Sequence, residues 1–249
     1  MKKNLIYLCA FLQNKYIKEI DLMLKSLYEF GKKDTNTDIL IITEDKLYNS
    51  LNKLDIIKKL NVEFYILNNV KTVLDSTISR YRIFSYKNIN NYDKLLYLDT
   101  DILILNELNN IFSIESNKFI FLEEGYFGSE YFGKYLFPDS IKNEKIPACN
   151  TGIIYFKNLK KHKLIFEKVI NKAYLPTTII DSVYDQPILN YFIFYTKNYD
   201  NTSLKNIGEL NPKTYNGETL THFNSIVGCS NKLQKMTNFY KLVNKKYRF

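Results

Sequence analysis

The stretch that most constrains this chain is Lys94-Leu95-Leu96-Tyr97-Leu98-Asp99-Thr100-Asp101-Ile102-Leu103-Ile104-Leu105, an apolar run with strand character broken by two carboxylates. Carboxylates set into a buried strand are costly unless something pairs with them. In an extended segment residues i and i+2 face one side, so Asp99 and Asp101 are expected to point together and Thr100 the other way. Two such groups repel unless a cation lies between them. A hard divalent metal that completes its shell with substrate phosphates is the simplest solution. The plain alternative is a polar strand ending, with Asp as a cap.

The flanking sequence says what kind of sheet holds this strand. Leu5 to Leu12, Asp38 to Thr43 and Val62 to Leu67 read as strands. Tyr16 to Phe30 has the helical spacing Ile17, Ile20, Leu24, Leu27, and Lys46 to Leu60 reads as one helix. A further helix capped by Asp75 or Ser76 is expected to run to about Asn88. Beyond the Asp pair, a short helix near Glu107 to Phe112, strands at Phe119 to Leu122 and Cys149 to Phe156, and helices at Leu159 to Tyr174 and Tyr184 to Tyr195 follow. Gly125 to Pro147 reads as an irregular, mobile acceptor-side loop, and 204–249 as a mixed tail. Alternating strands and helices predict an α/β fold with a mostly parallel central sheet flanked by helices. Ligands in such sheets bind beyond the carboxyl ends of the strands, where the Asp pair lies. No repeat or Pro/Gly/Ser-rich linker divides the 249 residues, so one domain over 1–249 is expected.

Composition narrows the function classes. The formal charge of +9 suits an anionic ligand or an acidic surface. No Lys/Arg run with interleaved aromatics marks a nucleic-acid stripe, so no nucleic-acid partner is expected. Cys9, Cys149 and Cys229 show neither metal spacing nor a disulfide framework. The apolar N-terminus lacks a small-residue cleavage site and reads as a strand, not a signal peptide, and no apolar run is long enough to cross a bilayer. A cytoplasmic location with at most peripheral membrane contact is expected, with the oligomeric state open and a dimer compatible.

Several motifs, taken in order, resemble glycosyltransferase family 8, the glycogenins and the bacterial lipopolysaccharide α-galactosyl- and α-glucosyltransferases. Tyr92 to Asp101 resembles the family's Asp-x-Asp segment almost residue for residue. Cys149-Asn150-Thr151-Gly152, Asp185-Gln186-Pro187-Ile188-Leu189-Asn190 and His222-Phe223 followed by Gly228 resemble its later motifs, and the likeness spans residues 4 to about 232. The resemblance implies a GT-A (Rossmann-like) fold and a retaining, Mn²⁺-dependent transfer of a hexose from a UDP-sugar to a glycan, lipid-linked or protein acceptor. Mg²⁺ is the alternative metal.

By the same resemblance, Asp99, Asp101 and His222 hold the metal, and a nitrogen ligand beside oxygens favours Mn²⁺. Tyr16, Arg82, Asp99, Thr100, Glu124, Asn150 and Lys232 bind the donor, and Asp185 and Gln186 face the reacting sugar. Arg80 competes with Arg82, Glu123 competes with Glu124, and helix packing competes with uracil stacking at Tyr16. Asn150 with Gly152 also suits a strand-edge turn, and Asp185 also suits a helix cap. Lys232 departs from the pattern because the family's Pro-Trp after the lysine is missing. Two rival classes are a non-catalytic sugar-nucleotide binder and a haloacid-dehalogenase-type phosphatase with Asp99 as nucleophile. The latter usually carries its Asp-x-Asp near the N-terminus followed by Gly-Thr/Val, whereas Ile102-Leu103 follows here, in mid-chain.

Overall fold

The structure, a computed structural model, describes residues 2–175, 185–224 and 231–247. The amino-terminal half is β1 (Lys3–Ala10), α1 (Lys15–Phe30), β2 (Thr37–Thr43), α2 (Asp45–Leu51), α3 (Asp55–Leu60), β3 (Glu63–Ile66), α4 (Val73–Ile78), β4 (Tyr92–Leu98), β5 (Ile102–Ile104) and α5 (Asn109–Phe112). There follow β6 (Phe119–Tyr126), α6 (Asp139–Lys142), β7 (Pro147–Lys157), α7 (Lys160–Ala173), α8 (Gln186–Thr196), β8 (Tyr199–Asp200), β9 (Gly208–Leu210), β10 (Leu220–His222) and α9 (Lys232–Tyr247).

Among the described residues, seven strands form the central sheet in the order β3-β2-β1-β4-β7-β6-β8. β3, β2, β1 and β4 run parallel, and β7 runs against both its neighbours. Both faces of the sheet are covered. On β1, Leu5 and Tyr7 enter one apolar layer while Ile6 and Leu8 enter the other, and on β4 Leu95 and Tyr97 separate from Leu96 and Leu98 in the same way. That two-sided burial is why these strands read as unbroken apolar runs. A small sheet, β5-β10-β9, sits beyond the end of β4, and α9 packs on it through Met236, Phe239 and Val243 against Leu103 and Leu105. No described helix is long and apolar enough to cross a membrane.

Four expectations need correction. The Asp-containing run is not one strand: it leaves the central sheet after Leu98 and re-enters the small sheet at Ile102. The helix expected over Lys46 to Leu60 is two, because Leu54 is extended and Asp55 starts a new helix that ends at a left-handed Asn61. The helix expected to reach Asn88 stops at Ile78 and tightens into 3-10 winding over Ser79–Ser85. There the Ser79 hydroxyl donates to the Asp75 carbonyl at 2.7 Å, an i−4 bond that disturbs α-helical winding. Its cap is Thr72, with Asp75 completing a capping box. Finally, β6 continues through Gly125, which takes a positive φ of 59°, to Tyr126, so the segment expected to be irregular starts inside a strand and includes α6. Tyr184, Gly228 and Cys229 lie outside the described residues.

Candidate active site

The break between β4 and β5 builds the site. Asp99 donates its backbone N–H to the Gly152 carbonyl on β7 at 2.8 Å, and the Asp101 carbonyl accepts from the Phe223 N–H at 3.0 Å. β10 pairs antiparallel with β5, His222 opposite Ile102, so the imidazole arrives beside Asp101. Asp99, Asp101 and His222 each offer a ligand atom, all within 4.8 Å of one another. His222 Nε2 is 3.2 Å from Asp101 Oδ1 and 3.9 Å from Asp99 Oδ2.

Two observations test whether this trio fits a metal. Asp101 Oδ1 and His222 Nδ1 are buried without a hydrogen-bond partner, a costly arrangement in a closed site. Gly152 keeps the space open: a Cβ there would lie 2.3 Å from His222 Cε1 and 2.8 Å from Asp99 Oδ2. Two carboxylates and an imidazole are also a donor set suited to Mn²⁺. The residues therefore fit a divalent ion. Burial alone would raise the Asp101 pKa, but the facing His222 and Lys232 outweigh it and hold the carboxyl below its usual range. For His222 burial works downward, and Asp101 overcomes it to raise the imidazole's pKa.

Arg80 ties this trio to a second cluster. Its guanidinium lies 3.3 Å from Asp99 Oδ1 and 3.5 Å from Asp185 Oδ2, donates to the Thr151 carbonyl at 2.8 Å, and stacks over the Tyr97 ring. Burial opposes the charge, but the two carboxylates overcome it and raise the Arg80 pKa. Asp185 occupies the position before α8, yet its side chain makes no capping bond. It accepts instead from the Tyr81 hydroxyl at 2.5 Å, and burial raises its pKa. Gln186 Oε1 accepts from the Thr151 N–H at 3.1 Å, and Nε2 donates to the Tyr131 carbonyl at 3.3 Å. Asn190, one turn on, grips both the N–H and the carbonyl of Cys149 and so fastens the start of α8 to β7.

The remaining predicted residues fall around these clusters. Asn150 donates to Glu124 at 2.7 Å, and its own Oδ1 accepts from the Gly152 N–H at 2.8 Å. Glu124 also accepts from Asn224 at 2.6 Å, whereas Glu123 is exposed. A cavity of about 180 Å³ is lined by Tyr16, Glu19, Arg80, Asp99, Asp101 and Lys232, among others. Thr100, in the turn between β4 and β5, donates to Glu19 at 2.6 Å. Arg82 is not brought to the site: it is half-buried, its partner is Tyr174, and its place is taken by Arg80. Residues two apart point to different sides of a helical turn, so with Arg80 directed inward Arg82 faces away. The sequence reading also missed Glu19, Tyr81 and Tyr97, whose hydroxyl donates to Asp99 at 2.5 Å. Glu19 left one trace, a carboxylate one turn before Met23 on the apolar face of α1.

No protein-family model matches the sequence, and no curated protein matches it. Among solved structures, the fold is shared with the bifunctional glycosyltransferase WbbM, at a TM-score of 0.66 and 14% identity over 100% of this chain and 52% of the other. It is shared with the glycosyltransferase GlyE of Streptococcus pneumoniae at 0.62 and 14%, over 100% and 63%. The galactosyltransferase LgtC, solved with donor and acceptor sugar analogues, superimposes at 0.65 and 18%, over 97% and 95%. The chain thus spans about half of WbbM, under two thirds of GlyE and nearly all of LgtC. The fold is that of the GT-A glycosyltransferases, a mixed α/β domain with a mostly parallel central sheet.

Proposed function

We propose that this chain is a retaining hexosyltransferase related to glycosyltransferase family 8, using UDP-glucose, UDP-galactose or UDP-N-acetylglucosamine as donor and an acceptor hydroxyl on a glycan, lipid-linked sugar or protein. One observation carries the reading: Arg80 joins the Asp99–Asp101–His222 trio to the Asp185–Gln186 pair within a single site. Mn²⁺ held by Asp99, Asp101 and His222 would supply charge neutralisation for a departing diphosphate, the main electrostatic task of such a transition state.

This chain's own residues support same-face substitution. A covalent route needs a free carboxylate nucleophile beside the sugar. Asp185 is buried and held by Tyr81 and Arg80, and Gln186 is an amide whose oxygen already accepts from Thr151. The bond between the anomeric carbon and the diphosphate oxygen breaks, the bond to the acceptor oxygen forms on that same face, and the acceptor proton passes to the departing phosphate oxygen. Gln186 supports the developing positive charge, and Asp185 accepts from donor-sugar hydroxyls. Lys15 and Lys232, on the cavity wall, oppose the diphosphate charge. The test is a panel of UDP-sugars with Mn²⁺, read as UDP release. Turnover of one sugar is expected. Binding without turnover would leave a sugar-nucleotide binder, and no binding of any nucleotide sugar would overturn the reading.

A further inference from the structure

Asp101 is met from two sides by nitrogens of its own chain. His222 approaches Oδ1, and Lys232 Nζ lies 2.5 Å from Oδ2. The carboxylate is buried, whereas the Lys232 side chain is 31% exposed, so the ammonium has a way out to solvent that the carboxylate lacks. Lys232 is the first residue of α9, and no acid stands in that helix's first turn. A cation there opposes the helix dipole. What holds the ammonium is therefore Asp101, not its own helix. Glu19, Tyr16 and Asp99 share the same cavity wall with it.

We propose that Lys232 is a built-in counter-cation of the metal site: its ammonium and a divalent ion compete for the Asp101 carboxylate, and an anionic ligand entering the neighbouring cavity favours the exchange by taking up the displaced ammonium. The second half rests on the UDP-sugar reading above. The first half does not. The ammonium neutralises Asp101 from Oδ2 while Oδ1 faces His222 Nε2, so a divalent ion taken up there meets a second cation across one carboxylate, and its apparent affinity is weakened by the free energy of the ion pair that it loosens. A diphosphate that offers Lys232 a second partner lowers that cost. By linkage, it then tightens metal binding by the same factor by which metal tightens diphosphate binding.

The experiment measures Mn²⁺ binding by loss of the free aqueous Mn²⁺ electron paramagnetic resonance signal, with and without UDP, in the wild-type chain, Lys232→Met and Lys232→Arg. Thermal melts of each establish that they fold. Without UDP, Lys232→Met is expected to bind Mn²⁺ on the order of tenfold more tightly than wild type, and Lys232→Arg to bind as wild type does. UDP is expected to tighten Mn²⁺ binding by a larger factor in wild type than in Lys232→Met. Equal or weaker binding by Lys232→Met without UDP overturns the exchange, as does Mn²⁺ binding to none of the three, or an arginine variant that behaves as the methionine one. A failure of UDP to bind any of them overturns the UDP-sugar reading instead, while the UDP-free comparison still decides the exchange.

Discussion

Arg80 is the residue on which the two halves of the site depend. Removing one partner of a buried, hydrogen-bonded ion pair costs about 3–5 kcal/mol because a charge is left without compensation. Here two carboxylates, Asp99 and Asp185, would lose the same guanidinium. Arg80→Met is expected to destabilise the chain by roughly that amount, measured by urea unfolding. Arg80→Lys keeps the charge but cannot span both carboxylates and the Thr151 carbonyl, so it is expected to fold and lose sugar transfer. Arg82→Lys is expected to transfer within about twofold of wild type, as substitutions away from such networks do. Equal losses in the two lysine variants would show that the network is not what matters. Gly152 gives a second prediction at this scale. Its Cβ-free face is filled by His222 and Asp99, and β7 is fixed between β4 and β6. Gly152→Ala must therefore push the imidazole aside, and Mn²⁺ affinity is expected to drop roughly ten- to hundredfold, read by titration.

Among the elements, the segment from Thr72 to Ser85 shows where sequence and structure part. β1, β2 and β4 were legible because burial on both faces leaves unbroken apolar runs, and α1 because its buried residues repeat at helical spacing. The convergence of Asp99 and Asp101 was expected from strand alternation, although a turn between β4 and β5 is what delivers it, and the approach of His222 was legible only through the resemblance. The 3-10 winding was not legible, since Ser79 to Ser85 would suit an α-helix equally well until Ser79 turns its hydroxyl back on Asp75. Arg80 and Arg82, two residues apart, face different sides in either winding, and which of them points inward leaves no mark in the residue order. Nor was α9 legible, whose apolar residues face a sheet built from β5, β9 and β10, strands of only three residues each. Asp75 yields a pH prediction for this segment. Its carboxylate accepts from Lys71 N–H, Thr72 N–H, the Thr72 hydroxyl and the Tyr174 hydroxyl. Burial acts upward, but these bonds prevail and lower its pKa to about 2. A carboxyl with a depressed folded pKa contributes stability above its unfolded value near 3.8, lost as pH falls toward 2. The group is only partly buried and stays screened by solvent, so a contribution of about 1 kcal/mol, the usual value of a cap, is expected. Asp75→Asn should lower the melting temperature most at pH 6, and the difference from wild type should shrink steadily as pH falls from about 4 toward 2.

For the molecule as a whole, the site is a long-range object. Asp101 and His222 lie about 120 residues apart in the chain and meet only when β5 and β10 pair. An unfolded chain offers no such trio, so Mn²⁺ held by it would favour the native state alone. At a hundredfold excess over its dissociation constant, a native-state ligand adds about 2.7 kcal/mol. In a domain of this size that corresponds to roughly 5–10 °C in melting temperature. The wild-type chain is expected to gain it in Mn²⁺ and Asp101→Asn to gain none, with calorimetry as the check. Asp101→Asn is also expected to abolish both sugar transfer and UDP-sugar hydrolysis.

The pairing of β5 with β10 also sets an order of events during synthesis. Asp99 and Asp101 leave the ribosome about 120 residues before His222. β4 can join β1 long before the small sheet exists, because both strands are already made. Through that interval the nascent chain holds a bare pair of carboxylates with Arg80 beside them and no third ligand. Until β10 docks, the growing polypeptide lacks the third side chain of that cluster, so on the function proposed above it could neither hold a divalent ion tightly nor act on a nucleotide sugar.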